Sequence, residues 1–254
     1  MSKQIIITPL GTVSPYCKGN LNCPGFLINY NDKKILLDCG NGTTRLLNFP
    51  NDLKDLSVFI THLHKDHFGD LGSIQYASYV YHNLGLLNDE VKVYLPEFEY
   101  LDNKSAIIQT PESFTKYYNI NEVITYKVDD IRVSFQNNNS HTIPTYAIKL
   151  ENDSFKIVYT SDVGNTNIDE LVEFSKDSDL LICESSFVRS HNASSSTHLH
   201  SYESAMIGKK ANVKQLMLTH FWTETSKIEY LEEAKEVFEN TIVAEEGKQL
   251  VLMR

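Results

Sequence analysis

The segment Thr61–His67 constrains this chain more than any other part of its sequence. It reads THLHKDH and concentrates three imidazoles and one carboxylate, at His62, His64, Asp66 and His67. An apolar run ends just before it and a helical pattern follows, which indicates a buried strand that turns into a helix. Nitrogen and oxygen ligands of this mix favour zinc or a similar divalent ion. A histidine-rich surface loop is the alternative, and the strand-to-helix context argues against it.

The spacing within this motif divides its side chains into two groups. His62 and His64 alternate as they would on an extended segment, so they can share one side of the chain. Asp66 and His67 lie just past the turn, where they can face a second ion. The motif therefore predicts a site that is large enough for more than one metal ion.

Three further residues of ligand type follow predicted strands. His141 comes after the strand 131–137, Asp162 after the strand 155–160, and His220 after the strand 215–219. Each of them alone could be an ordinary polar residue at a strand end. Together these three residues predict a functional site, because the strand ends of layered α/β folds are where such sites assemble.

Predicted strands alternate with predicted helices along the whole chain, and no linker interrupts them. A hairpin is predicted at 26–37, helices are predicted at 70–84 and from Pro111 onward, and an amphipathic helix is predicted at 227–240. We therefore expect one domain, residues 1–254, with two packed sheets and helices outside. The helix at 227–240 either covers the core or forms a homodimer interface, and the sequence leaves both open.

Composition narrows the classes of function. The chain has 254 residues, 41% of them hydrophobic, which is enough for a large core, and its net charge of −10 argues against a broad basic surface for nucleic acid. Neither a membrane span nor a signal peptide is evident. The four cysteines form no CxxC pair, which predicts free thiols in a reducing cytoplasm, with a minor metal site at Cys17 and Cys23 as the weaker alternative.

The order HxHxDH, then His, then Asp, then His resembles the metallo-β-lactamase superfamily over nearly the whole chain. The segment Leu36–Gly40 is similar to the early motif of that superfamily, whose aspartate, here Asp38, supports the metal loop. The resemblance implies an αββα sandwich of two mixed β-sheets flanked by helices, with two divalent metal ions between the sheets. Zinc is the expected ion, and manganese or iron would use similar ligands. Carried over by motif, one ion is held by His62, His64 and His141, the other by Asp66, His67 and His220, and Asp162 bridges them.

Two further residues indicate the branch of the superfamily. Glu184 follows a predicted strand and His198 precedes a predicted helix, and this pair resembles the one in tRNase Z-like (ribonuclease Z-like) phosphodiesterases. In those enzymes the histidine protonates the leaving oxygen and the glutamate orients it. His198 is the better match by its spacing to His220, and His200 is the alternative. The resemblance therefore implies three catalytic residues, Asp66, Glu184 and His198.

The expected function is that of a dinuclear-zinc phosphodiesterase in which a metal-bound hydroxide attacks phosphorus. The tRNA-processing relatives carry a basic arm, whereas residues 86–127 hold four lysines against seven acids. We therefore expect a small or cyclic phosphodiester, a nucleotide or a short RNA end as substrate. The alternatives are a metallo-hydrolase of a carbon ester, lactone or lactam on the same site, and a non-catalytic binding protein, which the complete ligand set disfavours.

Overall fold

The computed structural model describes residues 4–96, 111–141 and 143–253. Within these residues, two seven-stranded sheets face each other across a shared apolar core. Each sheet also carries a second apolar cluster, with helices packed on it, on the face turned away from the other sheet. The fold is thus a four-layer αββα sandwich, and the prediction of its architecture is confirmed.

The first sheet is antiparallel on one side and parallel on the other. Its strands are β1 (Gln4–Gly11), β3 (Gly25–Tyr30), β4 (Lys33–Leu37), β5 (Leu56–Phe59), β6 (Val91–Pro96), β7 (Thr115–Ile120) and β16 (Leu250–Met253). They lie in the order β16-β1-β3-β4-β5-β6-β7. Pairing is antiparallel from β16 to β4 and parallel from β4 to β7.

The second sheet repeats this mixed arrangement. Its strands are β8 (Tyr126–Val128), β9 (Ile131–Asn137), β10 (Tyr146–Glu151), β11 (Lys156–Tyr159), β12 (Leu180–Glu184), β13 (Leu216–Thr219) and β15 (Thr241–Val243). Their order is β15-β13-β12-β11-β10-β9-β8, parallel from β15 to β11 and antiparallel beyond. A short parallel ribbon of β2 (Val13–Ser14) and β14 (Phe221–Trp222) connects the two halves of the molecule.

The alternation of side chains along each strand builds the layers. On β3, Phe26 and Ile28 lie in the core between the sheets, whereas Leu27 lies in the outer cluster of the first sheet. On β12, Ile182 faces inward and Leu181 outward. Successive strand residues point to opposite faces, so a strand that is apolar throughout must be covered on both sides. These near-continuous apolar runs therefore dictate two layers of covering helices.

Five α-helices are present in the described residues: α1 (Lys65–Phe68), α2 (Leu71–Asn83), α3 (Ile168–Ser175), α4 (Ser201–Lys210) and α5 (Lys227–Lys235). Short 3₁₀ turns occupy Thr43–Leu46, Asn51–Leu53, Asn165–Asn167 and Arg189–His191. Leu71 and Ile74 of α2 pack on the first sheet. Tyr230 and Ala234 of α5 pack on the second sheet, so this face of α5 covers the core. No helix of the described residues combines the length and apolar character that crossing a bilayer requires.

Three local predictions were wrong. Residues 111 and 112 form bends rather than a helix start, and the chain then leads into β7, which was not predicted from the sequence. The remainder of that region, residues 97–110, lies outside the described residues. The helix expected at 227–240 ends at Lys235. The sequence also predicts a strand at 122–128, of which Tyr126–Val128 alone forms β8, at the edge of its sheet, where one neighbouring strand rather than two defines its length. The four cysteines are free thiols, as predicted.

Candidate metal centre

The candidate metal ligands meet at one end of the sandwich, because each follows the end of a strand. The motif Thr61–His67 continues from β5 into α1, and Asp162 and His220 follow the parallel strands β11 and β13. His141 lies in the segment between β9 and β10. The carboxyl ends of β11 and β13 lie at the same edge of the second sheet, which brings together residues that are far apart in the sequence.

One group of donors surrounds a single oxygen of Asp162. The Nε2 atom of His62 lies 2.9 Å from Nδ1 of His64 and 3.5 Å from Oδ2 of Asp162. The Nε2 atom of His141 lies 3.7 Å from the same carboxylate oxygen. These nitrogens converge on a small volume beside Asp162, as the ligands of one cation do.

A second group of donors surrounds the other oxygen of Asp162. The Nε2 atoms of His67 and His220 lie 3.1 and 3.0 Å from Oδ1 of Asp162 and 3.2 Å from each other. Oδ2 of Asp66 lies 3.7 Å from both of these nitrogens. Asp162 therefore presents one oxygen to each group, which is the geometry that a bridging carboxylate needs.

The hydrogen bonds behind the rings indicate that a cation belongs between them. The Nδ1–H of His67 donates to Asp38, and the Nδ1–H of His220 donates to Ser186, whose own hydroxyl donates to Glu184. Since the remaining Nε2 atoms then carry lone pairs, their separation of 3.2 Å is repulsive unless a proton or a metal ion lies between them. Nε2 of His141 is buried and has no hydrogen-bond partner among the described residues. The donor set therefore fits divalent cations.

Asp38 holds His67 and the start of the ligand motif from behind, as the family resemblance implies for the early aspartate. Its Oδ1 accepts the backbone N–H of Thr61 at 2.8 Å, and its Oδ2 accepts from Nδ1 of His67 at 2.7 Å and from the hydroxyl of Tyr159 at 2.8 Å. The carboxylate is fully buried. Such second contacts fix the tautomer and the orientation of a ligating histidine.

The electrostatics of the cluster favour bound positive charge. Burial opposes ionisation of Asp162, but His220 and His67 outweigh it and hold the pKa of this carboxyl well below its ordinary value. Burial also disfavours protonation of His220, yet Asp162 raises the pKa of this imidazole to about 10. His62 differs, because burial and the nearby His67 lower its pKa to about 4. Without a metal ion, His220 therefore carries a proton beside the ionised Asp162, and a divalent cation would displace that proton.

Backbone geometry at the site is unusual in the same places. Asp38, Ser161 and His220 have positive φ values of 58°, 55° and 63°. Residues other than glycine adopt this left-handed region at an energetic cost, and they persist there when the surrounding structure holds them. A Cβ on Gly40 would lie 2.0 Å from the carbonyl oxygen of Asp66, so only glycine allows this close approach of the two loops.

Glu184 and His198 form a second pair beside the cluster. Nδ1 of His198 lies 2.9 Å from Oε1 of Glu184, and the His198 ring stacks near that of His220 with 5.4 Å between centroids. Glu184 is almost completely buried, and it also accepts the backbone N–H groups of Val163 and Leu199. Burial opposes protonation of His198, but Glu184 outweighs it and raises the pKa of this imidazole. A single carboxylate thus positions the loops that carry Asp162 and His198.

His200, the alternative to His198, has a different environment. Its Nδ1 lies 3.2 Å from Oε2 of Glu203 and 3.0 Å from Oγ of Ser195, and its backbone N–H donates to Glu203 at the start of α4. The His200 side chain is buried. His200 therefore belongs to the start of a helix, and the structure pairs His198 with Glu184.

Several residues that support this site were not predicted from the sequence. Ser14 donates to Oδ2 of Asp66 at 3.0 Å, Ser186 accepts from His220, and Tyr159 donates to Asp38. Serines and tyrosines of this kind carry no motif. Their partners lie 34 to 121 positions away in the sequence, so only the folded arrangement identifies them.

Known proteins resemble this chain in sequence and in fold. The family model of the beta-lactamase superfamily domain matches residues 33–221. The chain is 28% identical to a probable metallo-hydrolase, YhfI, of Bacillus subtilis, over 95% of this chain and 97% of that protein. It is also 28% identical to a ribonuclease Z of Archaeoglobus fulgidus, over 96% of each chain. The crystal structure of YhfI superposes with a TM-score of 0.88 at 25% identity and covers 99% of this chain and 100% of its own.

Proposed function

The chain belongs to the metallo-β-lactamase superfamily, in its tRNase Z-like branch, and from this premise we propose that it is a dinuclear phosphodiesterase. One of these relatives is named a probable metallo-hydrolase and the other a ribonuclease Z, and the finer assignment depends on the residues of this chain. The phosphodiesterase assignment depends on the pair Glu184 and His198 beside the ligand cluster, in which Nδ1 of His198 lies 2.9 Å from Oε1 of Glu184.

The proposed metal sites follow the two groups of donors. His62, His64 and His141 would hold one ion, Asp66, His67 and His220 would hold the other, and Asp162 would bridge them through its two oxygens. The nitrogen-rich donor set favours zinc. When bound, such ions supply Lewis acidity toward the phosphate and lower the pKa of a water molecule, which becomes the nucleophile.

The residues of the chain supply the proton transfer and the orientation. His198 would donate its Nε2 proton to the oxygen that leaves phosphorus as the new bond to the water oxygen forms. Glu184 holds Nδ1 of His198 and stabilises the protonated ring before the transfer. Asp66, fixed by Ser14, would orient the attacking water.

A phosphodiester substrate explains why a proton donor is present. Cleavage of a phosphodiester of an alcohol releases an alkoxide, which is a poor leaving group, and a well-placed acid accelerates such a step by about 10²–10⁴-fold. The net charge of −10 leaves little positive surface for a long nucleic acid. We therefore propose a small or cyclic phosphodiester, or a short RNA end, as the substrate.

The experiment compares two leaving groups in His198→Ala. On a nucleoside 2′,3′-cyclic phosphate, whose leaving group is an alkoxide, we expect kcat to fall by about 100-fold or more. On bis-p-nitrophenyl phosphate, whose phenolate leaves readily without a proton, we expect a loss below about tenfold. His191→Gln is the matched control, because His191 lies in the same loop but bonds Thr225 instead of Glu184. Metal content is measured on every sample.

Equal losses on both substrates with full metal content would contradict the role of His198 as the acid. Wild-type protein that binds two ions per chain but hydrolyses neither substrate would contradict the proposed function. Hydrolysis of a chromogenic lactone or cephalosporin by that same sample would then favour a carbon-centred substrate.

A further inference from the structure

A small cleft of about 120 Å³ adjoins the candidate centre. Trp222 and Phe187 line this cleft, which also contacts His198 and His220. It therefore borders both the proposed acid and a proposed metal ligand. A group attached to the leaving oxygen would lie close to this space, because His198 must reach that oxygen.

Trp222 presents an exposed aromatic ring at the mouth of this cleft. The residue is 38% exposed, and its neighbour Tyr16 is 46% exposed. The two rings meet edge to face, with 6.0 Å between centroids and 70° between planes. Isolated exposed aromatic residues are ordinary on protein surfaces, but Trp222 also lines the cleft beside the candidate centre, and an indole face suits stacking on a flat ligand.

The backbone that carries these rings is held in place on both sides. Ser14 pairs with Trp222 in the β2–β14 ribbon, and the backbone N–H of Trp222 donates to the hydroxyl of Tyr230 at 3.2 Å. Lys18 forms an ion pair with Glu224, two residues beyond each ring. The position of the platform is therefore set before a ligand binds, which reduces the entropy lost on binding.

We infer that Trp222, supported by Tyr16, is a stacking platform for the nucleobase of the substrate. This inference rests on the proposed phosphodiesterase function and narrows its substrate class to nucleotides. Every nucleobase offers a flat face to an indole ring, so stacking needs no particular base sequence. Lys18 is paired with Glu224, so the cationic side chain beside the platform is already neutralised. Stacking of the base and binding of the phosphate at the metal centre would then provide the main contacts to a short ligand.

The binding test uses the metal-loaded full chain and the fluorescence of Trp222, which is the only tryptophan in the sequence. Adenosine 5′-monophosphate and ribose 5-phosphate are titrated separately, because they share the sugar phosphate and differ in the base. We expect the nucleotide to quench the fluorescence and to bind about 5-fold to 150-fold more tightly than ribose 5-phosphate. Equal affinities in the wild-type chain would overturn the inference.

Variants assign the effect to the ring, with calorimetry as the readout. In Trp222→Ala, the preference for the nucleotide over ribose 5-phosphate should fall by about 5-fold or more. Trp222→Phe should retain most of that preference, since it keeps an aromatic face. The matched control is Tyr76→Ala, which removes a tyrosine that is 57% exposed on α2 and lies outside the cleft. A preference that survives in Trp222→Ala would overturn the inference, and if this variant does not fold, the wild-type titration and Trp222→Phe decide.

The two proposals fail in different ways. Turnover of both phosphodiesters with no preference for adenosine 5′-monophosphate would remove the stacking platform and leave the phosphodiesterase intact. A clear preference without any phosphodiester turnover would retain a nucleotide site beside the cluster and contradict the proposed reaction.

Discussion

Replacing Asp38 with asparagine should weaken metal binding although it leaves the shape of the side chain almost unchanged. Oδ1 of Asp38 accepts from the backbone of Thr61, and Oδ2 accepts from both His67 and Tyr159. An amide has only one accepting oxygen. Its NH₂ group must face either the N–H of Thr61 or the donors from His67 and Tyr159, so donors are opposed in either orientation.

The contacts of Asp38 set the expected magnitude. A hydrogen bond to a charged group contributes roughly 1.5–3 kcal/mol, and the buried carboxylate of Asp38 makes several, so the metal-free protein should lose at least about 1.5–3 kcal/mol of stability. If the new NH₂ donates to Nδ1 of His67, the proton of that ring moves to Nε2, the atom that faces Asp162 and His220. Loss of such an outer contact typically lowers metal affinity by about 10-fold to 100-fold.

The assay for Asp38→Asn measures metal affinity by competition with a graded series of chelators, followed by mass spectrometry of the retained metal. Asp70→Asn is the matched control. Oδ2 of Asp70 accepts the backbone N–H and the hydroxyl of Thr44, so the same chemical change is made in a loop aspartate without a histidine partner. We expect its metal affinity to change by less than about threefold. An unchanged metal affinity in folded Asp38→Asn would refute the reasoning that Asp38 sets the tautomer of His67.

Three other perturbations test the same structure. Removal of metal by a chelator should lower Tm by roughly 5–10 °C, because a free metal concentration of 100 times Kd adds about 2.7 kcal/mol to the stability of the folded state. A scanning calorimetry trace that the chelator does not shift would contradict this expectation. Tyr159→Phe should cost about 1.5–3 kcal/mol in a denaturant titration, since one hydrogen bond to the Asp38 carboxylate is lost while the ring remains packed, and wild-type stability would show that this bond contributes nothing. Gly164→Ala should lower the stability of the protein by about 1–3 kcal/mol and slow the turnover of cyclic phosphodiesters. The reason is that its Cβ would lie 2.1 Å from the carbonyl oxygen of Ser196, in the loop before His198. In the control Gly208→Ala the nearest atom to the new Cβ is 3.5 Å away, so stability should stay the same or rise.

Much of the fold could be predicted from local pattern. The apolar runs of β3, β4, β11, β12 and β13 are buried on both faces, and such runs identify strands wherever they occur. The wrong predictions concern segments in which the hydrophobic pattern does not define the type or the end of the element. Strand β7 follows bends at Pro111 that resemble a helix start, and α5 ends at Lys235 although the apolar spacing continues in Val237 and Phe238, which pack on the second sheet beyond the helix.

The candidate site divides in the same way. By itself, the sequence determined which residue types are available and that each follows a strand, because the HxHxDH motif is a local string and strand ends can be read from periodicity. Its choice between His198 and His200 stayed open, since two histidines two positions apart look alike along a chain. Only the tertiary structure places Glu184 beside one of them and Glu203 beside the other.

The tertiary structure also decided every contact between distant segments. Asp162 directs one oxygen to each group of histidines, Tyr159 reaches Asp38 across 121 positions, and Trp222 meets Tyr16 through the ribbon that pairs β14 with β2. Local sequence encodes burial and chain direction, because these depend on near neighbours. Contacts across the sandwich depend on strand order and register, which are set by the packing of all the layers together.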